Sequence, residues 1–313
     1  MPSHDATPRG WRALPTLAVR TVRDSFEDRI FVLGAEVAFF ILLSLPPALL
    51  AIFGLIGYVG EWFGEGVVTT IRDQVLSVAG SFLTESTRRD ILQPTVDTLL
   101  RNGRADVASI GLALTLWSAS RATSRLIEAT SIAYDQPDER RAWKRRLLSL
   151  GLTIGGMVGI VVVIPVLVAG PRLLDAISEP LGITDAVAVA WRFLYWPIVG
   201  LLGVALLGWF YHLATPIKTR WRRELPGAVL AAGLWLLGGL GLRLYAELTL
   251  GSSTYGPLAA PIAFLLWMFV TAMAVLIGAE LNAEIEKLWP SGAEPKDHED
   301  RPEPPRAEAV AEP

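Results

Sequence analysis

Long apolar runs constrain this chain more than any other feature. A bilayer core about 30 Å thick takes roughly 20 residues of helix, at about 1.5 Å per residue, because hydrocarbon offers backbone amides no partner outside the segment itself. Six stretches answer that description: Ile30–Tyr58, Val107–Ser120, Leu147–Ala169, Val189–Leu213, Pro226–Leu250 and Tyr255–Ala279. The second is the shortest, its clean apolar run ending at Arg121. A mean hydropathy of +0.42 agrees with a polytopic membrane protein rather than a soluble domain.

Charge places the short second stretch. Lys and Arg number five in residues 1–29, seven in 121–146, four in 214–225 and four from 281 onward, against six in the two complementary connections. Cytoplasmic loops carry the excess of basic residues, and this distribution obeys that rule only if the second stretch crosses. The expectation is an all-α protein of six transmembrane helices in a bacterial inner membrane, with both ends cytoplasmic. Arg9, Arg12, Arg20, Arg23 and Arg29 precede an apolar run about twice the length of a signal-peptide core, so the first span is expected to be retained as an anchor.

Three regions follow: a cytoplasmic segment 1–29, a membrane domain 30–288 and a cytoplasmic tail 289–313. The tail is rich in Pro, Glu, Asp and Ala and has too little apolar surface to offset chain entropy, so it is predicted to be disordered. Within the domain, residues 61–105 form an extracytoplasmic insert. Val67, Val68, Ile71, Val75, Val78 and Phe82 recur at helical spacing, and Ile91, Leu92, Val96, Leu99 and Leu100 repeat the pattern. Two amphipathic helices are predicted there, packed on the ends of the bundle or on the outer membrane face.

Small residues mark helix contacts. Gly151, Gly155 and Gly159 share one face of the third span, Gly200, Val204 and Gly208 one face of the fourth, and Gly227, Ala231, Gly233, Gly238, Gly239 and Gly241 crowd the fifth. Pro46, Pro47, Pro165 and Pro197 each remove an amide donor and are candidate helix breaks; Pro257 and Pro261 are similar.

Ionisable residues inside spans are costly, roughly 2.5–3.5 kcal/mol each on insertion scales, so they are paired or functional. Glu36, Arg121, Arg125, Glu128, His212, Glu280 and Glu284 fall near the cytoplasmic side, and Arg192, Arg243 and Glu247 near the outer side. Arg121 and Arg125 lie four apart on one face and are placed to meet Glu36 or Glu280 from neighbouring helices. Two readings stand: mutual salt bridging with snorkelling to the headgroups, or a polar route reached from each face. Glu280 and Glu284 form either a helix-end salt bridge or a site for a proton or cation.

Other chemistries lack their residues. There is no cysteine, and His4, His212 and His298 form no HExxH or other zinc pattern. No Walker loop occurs, no serine has a visible His–Asp set, and a net charge of −3 offers no nucleic-acid footprint. Neither a cofactor nor a metal nor a catalytic residue is expected; the expected partners are membrane lipids and a second copy of the chain.

An ordered set of motifs carries a family resemblance. Ala35-Glu36-Val37-Ala38-Phe39-Phe40, Ser44-Leu45-Pro46-Pro47, Trp117-Ser118-Ala119-Ser120-Arg121-Ala122 and Ala133-Tyr134 are followed by Glu224-Leu225-Pro226-Gly227-Ala228, Tyr255-Gly256, Leu266-Trp267 and Gly278-Ala279-Glu280-Leu281-Asn282-Ala283-Glu284. The set resembles the YihY/BrkB family of bacterial inner-membrane proteins over about residues 20–288. It departs at Phe39-Phe40, where that family often has tyrosines, and at Pro46, where Phe is common. The resemblance implies a six-helix inner-membrane protein; some members carry a virulence or serum-resistance label and others an old ribonuclease BN label. Intramembrane charge and proline breaks favour a transporter or lipid-translocating protein without an ATPase. An envelope scaffold is the alternative, and a nuclease is disfavoured.

Overall fold

In the computed structural model, residues 14–63, 105–136, 140–160, 185–245 and 259–292 are described, together with scattered positions between 64 and 104. They form α1 (Leu14–Glu27), α2 (Ile30–Phe63), α3 (Ala105–Ala133), α4 (described over 142–160), α5 (Asp185–Ala214), α6 (Leu225–Tyr245) and α7 (Ala259–Leu288). A 3₁₀ turn at Trp221–Arg223 leads into α6.

The helices pack as antiparallel neighbours. Along α2 and α3, Ile30 and Ala129 share one apolar cluster, Val37 and Ala122 another, and Gly54 lies against Ala108, a register that runs backwards over the full contact. Gly111 backs onto the backbone of Pro47 and Ala51, where any side chain would meet main-chain atoms. Along α6 and α7, Gly227 faces Gly278, Trp235 bonds Thr271 at 3.1 Å, and Gly238 meets Val270. Tyr211 of α5 donates to the Val275 carbonyl at 2.6 Å, which brings α5, α6 and α7 together around Gly278. Such close approach is how helices associate when lipid is as apolar as their own side chains.

Among the described residues, four helices are long and apolar enough to cross a membrane: Ile30–Ile52, Phe193–Ala214, Trp221–Tyr245 and Ile262–Leu288. The described residues are nearly all helical, as a polytopic membrane protein requires. The second expected span lies within the 29-residue α3, and the third is helical over 142–160, its remainder lying outside the described residues. The ends of α2, α3, α5, α6 and α7 that carry the basic segments gather at one end of the bundle. There Arg140 reaches Leu213 and Thr215, Tyr134 reaches Glu224, and Lys287 reaches Asp24 and Asp135.

Several expectations meet a different outcome. Helix α7 continues through Leu288, nine residues past the predicted end of its span, where Glu286 and Lys287 find partners from other elements. The N-terminal segment contains α1, which was not anticipated. Leu17, Thr21 and Ser25, spaced by four, face inward, while Leu14, Val19, Val22 and Phe26 face outward. Arg29, at φ 54, makes the sharp junction between α1 and α2. Helix α2 runs unbroken through Pro46 and Pro47, and α5 through Pro197. No described residue approaches the Cβ positions of Gly151, Gly155 or Gly159, so the glycine face of α4 makes no helix contact among the described residues. Pro165, Pro257 and most of the 61–105 insert lie outside the described residues.

Candidate functional site: ionic groups at the basic end

Arg125 organises the first group. Its guanidinium contacts Glu36 of α2 at 2.9 Å and Glu128, one turn along its own helix, at 2.8 Å. The antiparallel register of α2 and α3 brings Glu36 level with Arg125. The three side chains remain 39%, 34% and 42% exposed, so the group is partnered but open. Arg121 does not join it. It turns outward and lies 4.5 Å from the centroid of Trp117, a cation–π contact within α3.

A second group surrounds Lys287. Its ammonium contacts Asp135 at 2.7 Å, Glu284 at 3.0 Å and Asp24 at 3.4 Å, joining α1, the end of α3 and α7. Glu284 is thus engaged by Lys287, one turn along the same helix. Glu280, one turn earlier, is fully buried and neither of its carboxyl oxygens has a hydrogen-bond donor.

A third group is closed. Glu224 is fully buried at the start of α6; Tyr134 donates to one carboxyl oxygen at 3.1 Å and Thr219 to the other. The Asn282 amide donates to the Glu224 carbonyl at 3.0 Å and accepts from the Gly227 amide at 2.7 Å. Pro226 has no amide hydrogen and the Gly227 N–H has no partner within its own first turn, so a side chain from α7 caps α6. Arg140 bonds the carbonyls of Leu213, Ala214 and Thr215 at 3.1, 3.3 and 2.8 Å, favourably placed at the negative end of α5. Arg223 pairs with Glu286 at 2.9 Å and donates to the Trp289 carbonyl.

The Tyr134 phenol is held well above its usual 10.0, first by burial and then by the nearby Glu224 charge. A raised folded-state value means that its contribution to stability is complete below pH 10.0 and is lost as pH rises toward that raised value. The expected result is that the wild-type melting temperature in detergent falls more steeply above that pH than the melting temperature of Tyr134→Phe. Equal slopes would show that the phenol does not titrate with unfolding.

Of the expected outer layer, Arg243 is exposed at the end of α6, whereas the side chain of Arg192 and all of Glu247 lie outside the described residues. Sequence reading missed Asp24, Asp28, Asp135, Glu224 and Lys287 as site residues. Only Glu224 carried a signal, the motif beginning at that residue.

The family model described as Virulence factor BrkB matches residues 21–303. The chain belongs to that family. Among BrkB relatives, a Bacillus subtilis protein named "Putative ribonuclease-like protein YfkH" is 27% identical, over 81% of this chain and 89% of its own length. A "UPF0761 membrane protein" of Tolumonas auensis is 24% identical, over 84% and 83% respectively. No solved structure matches the chain. The words "ribonuclease-like" belong to the relative's name and do not establish enzyme activity in this BrkB-family chain.

Proposed function

We propose that this BrkB-family protein is a six-span inner-membrane transporter or lipid-translocating protein that works without ATP, with both termini cytoplasmic. The observation that carries the reading is the Glu36–Arg125–Glu128 group, an interhelical ion pair within the bundle whose members keep a third or more of their side-chain surface open. Charged groups within membrane helices mark substrate and ion routes, and a half-open pair is suited to exchanging one of its partners for an anionic headgroup or solute.

Purified protein in liposomes is expected to move a fluorescent anionic phospholipid between leaflets. Arg125→Ala and Glu36→Gln should slow this by about tenfold or more, since ~1.4 kcal/mol at the limiting barrier is a factor of ten. Arg121→Ala should leave it unchanged, because Arg121 stacks on Trp117 instead of entering the group. Equal rates in all variants at equal protein levels would reject the group as a route.

The scaffold reading has its own support. Arg141, Trp143 and Arg146 are exposed at the basic end, and each basic residue near an anionic leaflet contributes about 1 kcal/mol. Crosslinking to a stoichiometric partner, with silent flux assays, would favour it.

A further inference from the structure

Glu280 is the least explained side chain in the described structure. It is 0% exposed, and both its carboxyl oxygens are buried without a hydrogen-bond donor. Its surroundings on two flanks are apolar. Ile30, Ala129, Met273 and Leu276 form the cluster one turn above it, and Ala133, Tyr134, Ile217 and Ala283 the cluster beside it. On the remaining flank α1 lies across α7, and Asp28 faces Glu280 directly, with Asp24 one turn away. The charges that reach this point are therefore Asp24 from α1, Asp28 from the corner just after it, Asp135 from the end of α3, and Glu284 and Lys287 from α7 itself.

Lys287 cannot neutralise them all. Its ammonium already contacts Asp24, Asp135 and Glu284, which leaves Asp28 and Glu280 as carboxyls facing each other. Two carboxylates are acceptors only and have no hydrogen to share. Both ionised, they would combine like-charge repulsion with the cost of a buried, unpaired charge. One added proton removes both penalties, since the protonated carboxyl donates to its neighbour and the orphan oxygens gain a hydrogen bond.

We propose that Asp28 and Glu280 form a proton-binding site at the α1–α7 contact, holding one proton between the two carboxyls. The proton resides on Glu280, the more deeply buried of the two, and Asp28 accepts its hydrogen bond. Asp28 sits outside the spans, and burial pushes its carboxyl above the usual range, in the same sense. A raised folded-state value stabilises the docked form most fully at low pH and progressively less as pH rises through it, so acid holds α1 down and alkali loosens it. Glu284 does not substitute for either member, because it is already bonded to Lys287.

Infrared difference spectroscopy of the full-length protein in lipid, stepped across pH, reads the site through the carbonyl stretch of protonated carboxyls. One such band should persist well above the pH at which ordinary carboxyls ionise. Glu280→Gln, of the same shape and neutral, should abolish that band while the protein remains folded and monodisperse. Asp28→Asn should keep the band and shift its titration to lower pH, because the facing negative charge is gone. A spectrum with no band dependent on either residue would overturn the proposal. So would a band that sodium ions displace at fixed pH, which would make the site a cation site. The measurement needs no transported solute, so its failure and that of the transport reading are separable.

Discussion

Gly278→Ala is expected to lower the stability of the folded protein by about 2–3 kcal/mol, whereas Gly155→Ala is expected to be neutral or slightly stabilising. The two changes add the same methyl group to the middle of an apolar helix. At Gly278 that carbon would collide with the Tyr211 hydroxyl and the Gly227 carbonyl and come within 2.9 Å of the Ala231 Cβ. Backbone cannot yield as a flexible side chain can, so α6 would have to move off α7, and Tyr211 would lose its 2.6 Å bond to the Val275 carbonyl. At Gly155 no described atom lies within 4 Å, and alanine is the better helix former by about 1 kcal/mol. Fluorescence-detected size exclusion of heated, detergent-solubilised fusions separates the cases. Equal melting temperatures for the two variants would mean that α5, α6 and α7 do not meet at Gly278.

Glu224→Ala should cost about 3 kcal/mol or more, because hydrogen bonds to a charged group contribute roughly 1.5–3 kcal/mol each and the donors left behind are buried. Removing the carboxylate strands the Tyr134 and Thr219 hydroxyls together. The connections after α3 and before α6 would then lose their mutual anchor. A double-mutant cycle between Glu224→Ala and Tyr134→Phe isolates one of these bonds, with an expected coupling of about 1.5 kcal/mol or more, measured as the shift in unfolding midpoint. Additive effects would show that the 3.1 Å contact contributes nothing.

The helices were legible in the sequence because lipid imposes a length on them, and the basic segments were legible because their count alternates from one connection to the next. The Arg125–Glu36 pairing was also within reach, since Glu36 was one of the two carboxylates on neighbouring helices that Arg121 and Arg125 were placed to meet. Other features were hidden for physical reasons. Helix α1 carries a helical pattern, Leu14, Ala18, Val22 and Phe26 recurring every fourth residue, but its orientation was hidden: the inward face is built from Leu17, Thr21 and Ser25 and the outward face from Leu14, Val19, Val22 and Phe26, the reverse of a water-facing amphipathic helix. The network around Glu224 depends on contacts between residues 58 and 90 positions apart in the chain, which no local pattern records. The glycines of α4 repeat as neatly as those of α6, yet among the described residues only α6 has glycines, such as Gly227 and Gly238, that meet another helix, while α4 touches α3 through Thr153 instead. Periodicity names a face and leaves its occupant open.

The left-handed backbone at Arg29 has a mechanical consequence. Only Asp28 and Arg29 separate α1 from α2, so α1 cannot slide freely; it can only swing about that corner. A helix of 14 residues is an arm about 21 Å long, and turning it by about ten degrees carries its far tip about 4 Å. Asp28 stands at the pivot and Leu14 at the tip, so a sub-ångström adjustment beside the corner becomes a displacement large enough to be felt at the membrane surface.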